Sequence, residues 1–198
     1  TLGQVLSGMK GIPLLVTDTS KLDPEEGIRF KGYSIPELQQ KLPRINPEGE
    51  PLPEGLFYLM LIGEIPSEED VTNLSQDFAT RAHVPQHVFD VLDAMPKNSR
   101  PMTQFSAAIL AMATESIFQK AYRAGVNKKF YWDATYEDVM NLIARLPHIA
   151  AYIYRRNFHN DNHIEPNPRL DWAGNLAHMM GFDSEDIRRL FRLYMVIH

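Results

Sequence analysis

From Pro101 to Thr114 the chain carries no charged side chain, and Met102, Phe105, Ile109 and Met112 recur there at the spacing of one helical face. The other faces hold Ser106, Ala107, Ala108, Leu110, Ala111 and Ala113, each small or apolar. A helix that is apolar or small all round must be covered all round. Pro101 suits the first turn, where its missing N–H would have had no helical partner. The uncharged run is too short for a bilayer, which takes about 20 apolar residues. Two arrangements meet the constraint: a central helix inside one subunit, or a helix shared with a second subunit.

The rest of the chain reads as the material for such cover. Its 198 residues fit one large domain or one and a half, and an apolar content of 44% is enough for a sizeable core. A net charge of −5 with no Lys/Arg-rich stripe argues against nucleic acid as a partner. No segment reads as a membrane span or signal peptide, and the sequence, which opens at Thr1, is silent about any targeting segment before it. The lack of cysteine excludes disulfides, thiol catalysis and thiolate metal sites together. Fourteen prolines, mostly at segment ends, imply many helices with sharp boundaries.

Taken in order, Leu2, Val5, Leu6 and Met9 share a helical face. Leu14–Thr19 and Ile28–Lys31 lean to strand, with the turn chemistry of Leu22–Gly27 between them, so a small hairpin is expected. Ser34 and Glu37 make a capping box for a helix that should stop near Leu42, before Pro43. Helices follow over Leu56–Ile62, from Ser67 with Val71, Leu74 and Phe78 buried, and from Pro85 to Met95. Thr135 and Asp138 read as a second capping box, opening a helix whose stripe Val139, Leu142, Ile143, Leu146, Ala150 and Ile153 passes a kinking Pro147 and ends at Arg155 and Arg156. Asn157–Arg169 is a polar loop, and Asp171 caps a short helix ended by Gly181. The last helix starts at Ser184, with Ile187, Leu190, Phe191 and Tyr194 as its buried stripe and Arg188, Arg189 and Arg192 facing elsewhere. His198 joins that stripe, and the pattern is unfinished there, as expected for the N-terminal part of a longer protein. The expectation is a nearly all-helical chain of about nine helices with one small hairpin.

Motifs of chemistry are sparse. His83 and His87 have the i, i+4 spacing of a metal pair, but Pro85 starts a helical turn between them. His159 and His163 share a solvated loop with Asp161 and Glu165, His148 has no evident partner, and His178 reads as a helix-surface or contact residue. The adjacent pairs Glu25/Glu26 and Glu68/Glu69 do not face each other. No phosphate loop, nucleophile elbow or zinc-protease motif is present. Two basic spots remain: Lys10 between Gly8 and Gly11, and Lys128 with Lys129 beside Tyr131 and Trp132. Either is a solvated lysine or a point-charge partner for phosphate.

The wording of six segments is more specific. GMKG (8–11), LDPEEGIRFKGYSIPE (22–37), EPLPEGLFYLMLIGEIP (50–66), PMTQFSAA (101–108), YEDVMNLIARLP (136–147) and LFRLYMVIH (190–198) closely resemble the citrate synthases of the eukaryotic mitochondrial type, in order from end to end. The resemblance implies an all-α fold in which residues 1–198 are the N-terminal part of the large domain. The small mobile domain and the remaining catalytic part would follow. It implies a homodimer in the mitochondrial matrix, formed through the helices at 101–122 and 136–156, that condenses acetyl-CoA with oxaloacetate and water to give citrate and CoA. An Asp takes the methyl proton, one His stabilises the enol, a second His polarises the ketone, and arginines hold the carboxylates. Acetyl-CoA is a substrate, and neither cofactor nor metal is implied. The family's catalytic residues lie beyond His198, which aligns with a histidine just before them and is either a neighbour of the active site or a core residue. Two arginines that contact CoA phosphate in the family fall at Lys10 and, from the other subunit, Lys128, so charge is kept while the planar fork is lost. The rivals are a 2-methylcitrate synthase using propionyl-CoA, a peroxisomal form, and a non-catalytic half-length or scaffold relative.

Overall fold

The structure is a computed structural model that describes residues 19–46 and 48–197. Near its start lies an antiparallel sheet of three short strands, β1 (Ser20–Asp23), β2 (Gly27–Phe30) and β3 (Tyr33–Ser34), in the order β1-β2-β3. The expected hairpin is present: among the described residues β2 pairs with β1, with Ser20 opposite Phe30 and Asp23 opposite Gly27, and the Lys31 N–H donates to the Thr19 carbonyl at 2.8 Å. Residues 14–18 lie outside the described residues, as does the apolar face of Leu2, Val5, Leu6 and Met9. The turn is set by Asp23, whose Oδ1 accepts the backbone N–H groups of Glu25 and Glu26 at 2.9 and 3.0 Å. That side-chain turn closes the hairpin around Pro24–Glu26, with Gly27 at φ 88°.

Nine α-helices follow among the described residues. The first four are α1 (Ile35–Lys41), α2 (Pro53–Ile62), α3 (Glu68–Arg81) and α4 (Gln86–Ala94). Then come α5 (Pro101–Met112), α6 (Ile117–Arg123), α7 (Tyr131–Phe158), α8 (Trp172–Met180) and α9 (Glu185–Ile197). Their starts follow the sequence signals where a side chain can reach the first turn. Glu37 accepts from the N–H and hydroxyl of Ser34 at 2.8 and 2.7 Å. Asp70 does the same for Ser67 at 2.9 and 2.7 Å. Asp171 accepts from the N–H of Gly174, and Gly181 ends α8 at φ 96°.

One apolar core joins Val84, Val88 and Leu92 to Ala108 and Met112 of α5 and to Ile149 and Ile153 of α7. A second gathers Phe30, Leu38, Leu42, Leu56 and Leu59 under the sheet. A third packs Phe78 against Met140 and Ala144. The helix α7 meets α3, α5, α6 and α8 and is the element common to most of the packing. It passes through Pro147 without ending.

Four expectations are corrected. The run 101–122 is two helices, not one. A 3-10 turn over Ala113–Glu115 ends α5, and Ser116 caps α6 by accepting from the N–H of Gln119. Nor is α5 covered all round by its own chain: its buried line is Gln104, Ala108 and Met112, while Met102 and Leu110 are 69% and 74% exposed. The helix is turned this way because the Gln104 amide is held inside. It donates to the Ser99 carbonyl and Asn157 at 2.9 and 3.2 Å and accepts from Arg156 at 3.2 Å.

Thr135 and Asp138 do not start a helix. The helix α7 begins four residues earlier, and the Thr135 hydroxyl bonds back to the Tyr131 carbonyl inside it. Asp138 instead caps α6 from outside, accepting from Ile117 N–H at 2.7 Å, Phe118 N–H at 3.1 Å and the Ser116 hydroxyl at 2.6 Å. On α9, Arg192 is only 4% exposed and belongs to the buried side, whereas Leu190 and Tyr194 are exposed.

Caps of this kind are worth about 1 kcal/mol, and hydrogen bonds to a charged group about 1.5–3 kcal/mol. Asp138→Ala is therefore expected to free the start of α6 selectively. Amide exchange at Ile117 and Phe118 should accelerate roughly tenfold or more. Equal protection in the variant would show that Asp138 does not hold this helix.

Candidate functional site

Of the three site residues singled out in the sequence, Lys10 and His198 lie outside the described residues. Lys128 is described and stands exposed at the corner between α6 and α7. That corner is built stepwise. Gly125, at φ 74°, reverses the chain after α6. Asn127 then caps a 3-10 turn over Lys128–Phe130 by accepting from the N–H of Lys129, and the turn runs directly into α7. Phe118, Tyr122 and Tyr131 pack their rings 5.1–6.2 Å apart and tie α6 to the first turn of α7.

Between Ser116 and Trp132 the corner carries Lys120, Arg123, Lys128 and Lys129 and no acid, although the chain as a whole is acidic. Lys129 Nζ stands 4.8 Å over the Phe130 ring. Phe130 and Trp132 are 52% and 68% exposed. The corner is thus a rigid turn that offers cations and open ring faces together. The lysines, with Tyr131 and Trp132 beside them, stand out in the sequence. That one ring turns inwards and the other outwards does not, because it depends on where α7 starts.

Beside the corner, a cleft of about 590 Å³ opens between α5, α6 and α7, lined by Met112, Ser116, Ile117, Leu142 and Arg145 among others. Every lining residue belongs to the two segments that the resemblance assigns to a subunit contact.

The described helix leading towards His198 is α9. It is anchored by a buried polar junction that sequence reading missed. Arg192 donates to both oxygens of Asp171, at 3.3 and 2.9 Å, and to Glu185 at 2.7 Å. Next to this pair Glu54 of α2 is 1% exposed. One Glu54 oxygen accepts from the Ser75 hydroxyl at 2.9 Å and from the Trp172 N–H at 3.1 Å, and the other has no partner. Burial, with the nearby Asp171 carboxylate adding to it, pushes the Glu54 carboxyl above the ordinary carboxylate range.

The histidines are dispersed. His87 Nε2 lies 3.2 Å from the Ala111 carbonyl oxygen, His178 pairs with Asp183 at 2.7 Å, and His163 stacks on Tyr152 at 3.9 Å. His148 packs against Phe89, and burial lowers its pKa. Among the described residues no three His, Asp or Glu side chains come together as a metal cradle, and no helix is long and apolar enough to cross a membrane.

Comparison with known proteins identifies the family. The family model described as "Citrate synthase, C-terminal domain" matches residues 8–198. "Citrate synthase 4, mitochondrial" of Arabidopsis thaliana is 50% identical over 198 residues, which is all of this chain and 42% of that protein. The mitochondrial citrate synthases of Daucus carota and Saccharomyces cerevisiae are 51% and 48% identical, over 42% and 41% of their lengths. The chain thus spans about two fifths of these relatives. Among solved structures, citrate synthase from Pyrobaculum aerophilum superposes with a TM-score of 0.81 at 23% identity, covering 97% of this chain and 46% of that one. A ternary complex of carboxymethyl coenzyme A and oxaloacetate with citrate synthase from Thermoplasma acidophilum gives 0.75 at 18%, covering 96% and 46%. The chain belongs to the citrate synthase family, and its fold is the all-α fold of those enzymes.

The Glu54 junction has a pH signature. The folded carboxyl holds its proton above the ordinary value of 4.5, so the folded state binds more protons than the unfolded one as pH rises past that value. Stability is therefore lost as pH climbs from about 4.5 towards the folded pKa. Glu54→Gln keeps the acceptor for Ser75 and Trp172 and cannot ionise. Its thermal midpoint, followed between pH 4 and pH 9, should fall less on the alkaline side than that of the parent. Parallel curves would show that Glu54 does not retain its proton.

Proposed function

We propose that the protein carrying this chain is a citrate synthase of the mitochondrial matrix, which condenses acetyl-CoA with oxaloacetate and water and releases citrate and CoA. The observation that carries this reading is identity near 50% along the whole chain to several mitochondrial citrate synthases. In this reading residues 1–198 are the N-terminal part of the large domain. The Asp and the two His that move protons and hold the enol and the ketone follow His198, and His198 is their neighbour. Acetyl-CoA enters as a substrate, and no cofactor is assigned.

Within the chain the task falls to positive charge. Lys10 and Lys128 hold phosphates of CoA as point charges, each a charge-assisted hydrogen bond in place of a bidentate one. Binding energy spent there fixes the thioester relative to oxaloacetate and takes no part in proton transfer. The protein works as a homodimer through the segments 101–122 and 136–156. Support for that comes from the uncharged outer side of α5, where Met102 and Leu110 stand exposed, and from the cleft between α5, α6 and α7. A symmetry mate laid on this side would supply the cover that α5 lacks in its own chain.

The test is steady-state kinetics of the complete enzyme, followed by the appearance of the CoA thiol. Lys10→Ala and Lys128→Ala should each raise the KM for acetyl-CoA about tenfold, the worth of one charge-assisted hydrogen bond, with a smaller fall in kcat. An unchanged KM in both variants would overturn the phosphate assignment. Failure of the parent enzyme to release CoA from acetyl-CoA and oxaloacetate would overturn the activity itself.

A further inference from the structure

We infer that Arg192 and Asp171 are positioning residues for the reacting centre: their buried ion pair sets the roll of α9 about its axis, and α9 aims the catalytic segment that follows it. The inference rests on the reading given above, in which the Asp and the two His lie beyond His198.

Most contacts that hold α9 do not set its rotation. Leu193 and Val196 line an apolar gap beside Phe30, Leu38 and Leu42, while Leu190 and Tyr194 are 56% and 59% exposed. Apolar side chains thus stand on more than one side of the helix, and burial, which has no direction, accepts several rolls. Arg192 removes that freedom. Its side chain and that of Asp171 are 4% and 5% exposed. It donates to both Asp171 oxygens, at 3.3 and 2.9 Å, and to Glu185 at 2.7 Å. A buried ion pair adds little net stability, because the water lost from both charges offsets their attraction. Its use here is to admit one geometry, since a planar fork meets two oxygens at only one angle.

What Arg192 grips is itself fixed from three other helices. Asp171 Oδ1 accepts the Gly174 N–H and caps α8. Trp172, next in the chain, donates its N–H to Glu54 of α2, and Glu54 accepts from the Ser75 hydroxyl of α3. Gly174 leaves the room the pair occupies: a Cβ there would lie 2.7 Å from Asp171 Oδ2 and 3.5 Å from Arg192 Nη2.

The end of α9 at Ile197 is a short way beyond Arg192, about 7–8 Å along the helix. A roll of about 10° carries a side-chain end, roughly 6 Å off the axis, through about 1 Å. Displacement on that scale degrades the alignment of reacting groups. It leaves the hold on a carrier bound elsewhere as it was, so it should be read in kcat and not in the KM for acetyl-CoA.

The experiment is steady-state release of the CoA thiol by the complete enzyme, well below its thermal midpoint. Arg192→Met combined with Asp171→Asn removes the pair as a unit. No partner charge of the pair is stranded, and asparagine keeps an acceptor for the Gly174 N–H. The double variant should fold with a midpoint close to the parent's. Its kcat should fall about ten- to a hundredfold, with the acetyl-CoA KM changed less than about twofold. Arg192→Lys, which keeps a cation opposite Asp171 without the fork, should lie between the two. If the double variant does not fold, Gly174→Ala keeps every charge, presses on the Asp171 carboxylate and should lower kcat in the same selective way. Parental kcat in the variants that fold overturns the inference, because the pair would then serve stability alone. A raised acetyl-CoA KM with parental kcat also overturns it. A parent that releases no CoA overturns the activity, and this inference with it. An active parent whose variants match it overturns the positioning role alone.

Discussion

Two adjacent arginines at the end of α7 tie together the end of α4, α5, the loop that follows α7 and the end of α8. Arg156, 2% exposed, donates to the carbonyls of Asp93 and Met95 at the end of α4 and to the Gln104 amide of α5. Arg155 donates to the Asn162 carbonyl in the following loop and to Met180 at the end of α8. The last carbonyls of a helix have no intrahelical donor and carry the negative end of its dipole. A guanidinium can serve several such groups at once because its donors are fixed in a plane. The orientation of α5, with Gln104 inside and Met102 outside, depends on this arrangement, and so does the uncharged side that α5 presents outwards.

The same logic recurs at the other polar junctions. Arg81 of α3 bonds Glu137 at 2.6 Å and Asn141 at 3.1 Å on α7, while the ion pair of Arg192 with Asp171 fixes α9 against α8. Apolar contact fills the space between these helices, but it is non-directional and would tolerate several rotations about each axis. The buried and half-buried charges select one rotation, because only one brings every donor to an acceptor.

This division explains what could be read from the residues alone. Helix existence, the capping box at Ser34, the helix start at Ser67, the stop at Gly181 and the all-α class depend on local spacing and are legible there. So is the family, because long runs of wording keep their order along the chain. What depended on distant partners was not legible. Asp138 looks like a local cap and serves another helix. Met102 looks buried and is not, because Gln104 takes the inner place. Arg192 looks like a surface charge until Asp171 is brought opposite it. At the candidate site the charge of Lys128 was visible from its position in the sequence, whereas the outward set of Trp132 followed only from the true start of α7.

The unbroken length of α7 makes it a lever. At about 1.5 Å per residue, its 28 residues separate the Lys128 corner from the Arg155–Arg156 knot by roughly 40 Å. A tilt of only about two degrees at the knot would sweep the corner through more than about 1 Å, the scale on which a hydrogen bond is made or lost. The knot and the packing along α7 therefore set the aim of a remote surface. Small changes near Arg156 should be felt in where the Lys128 corner stands, without any residue at that corner having changed.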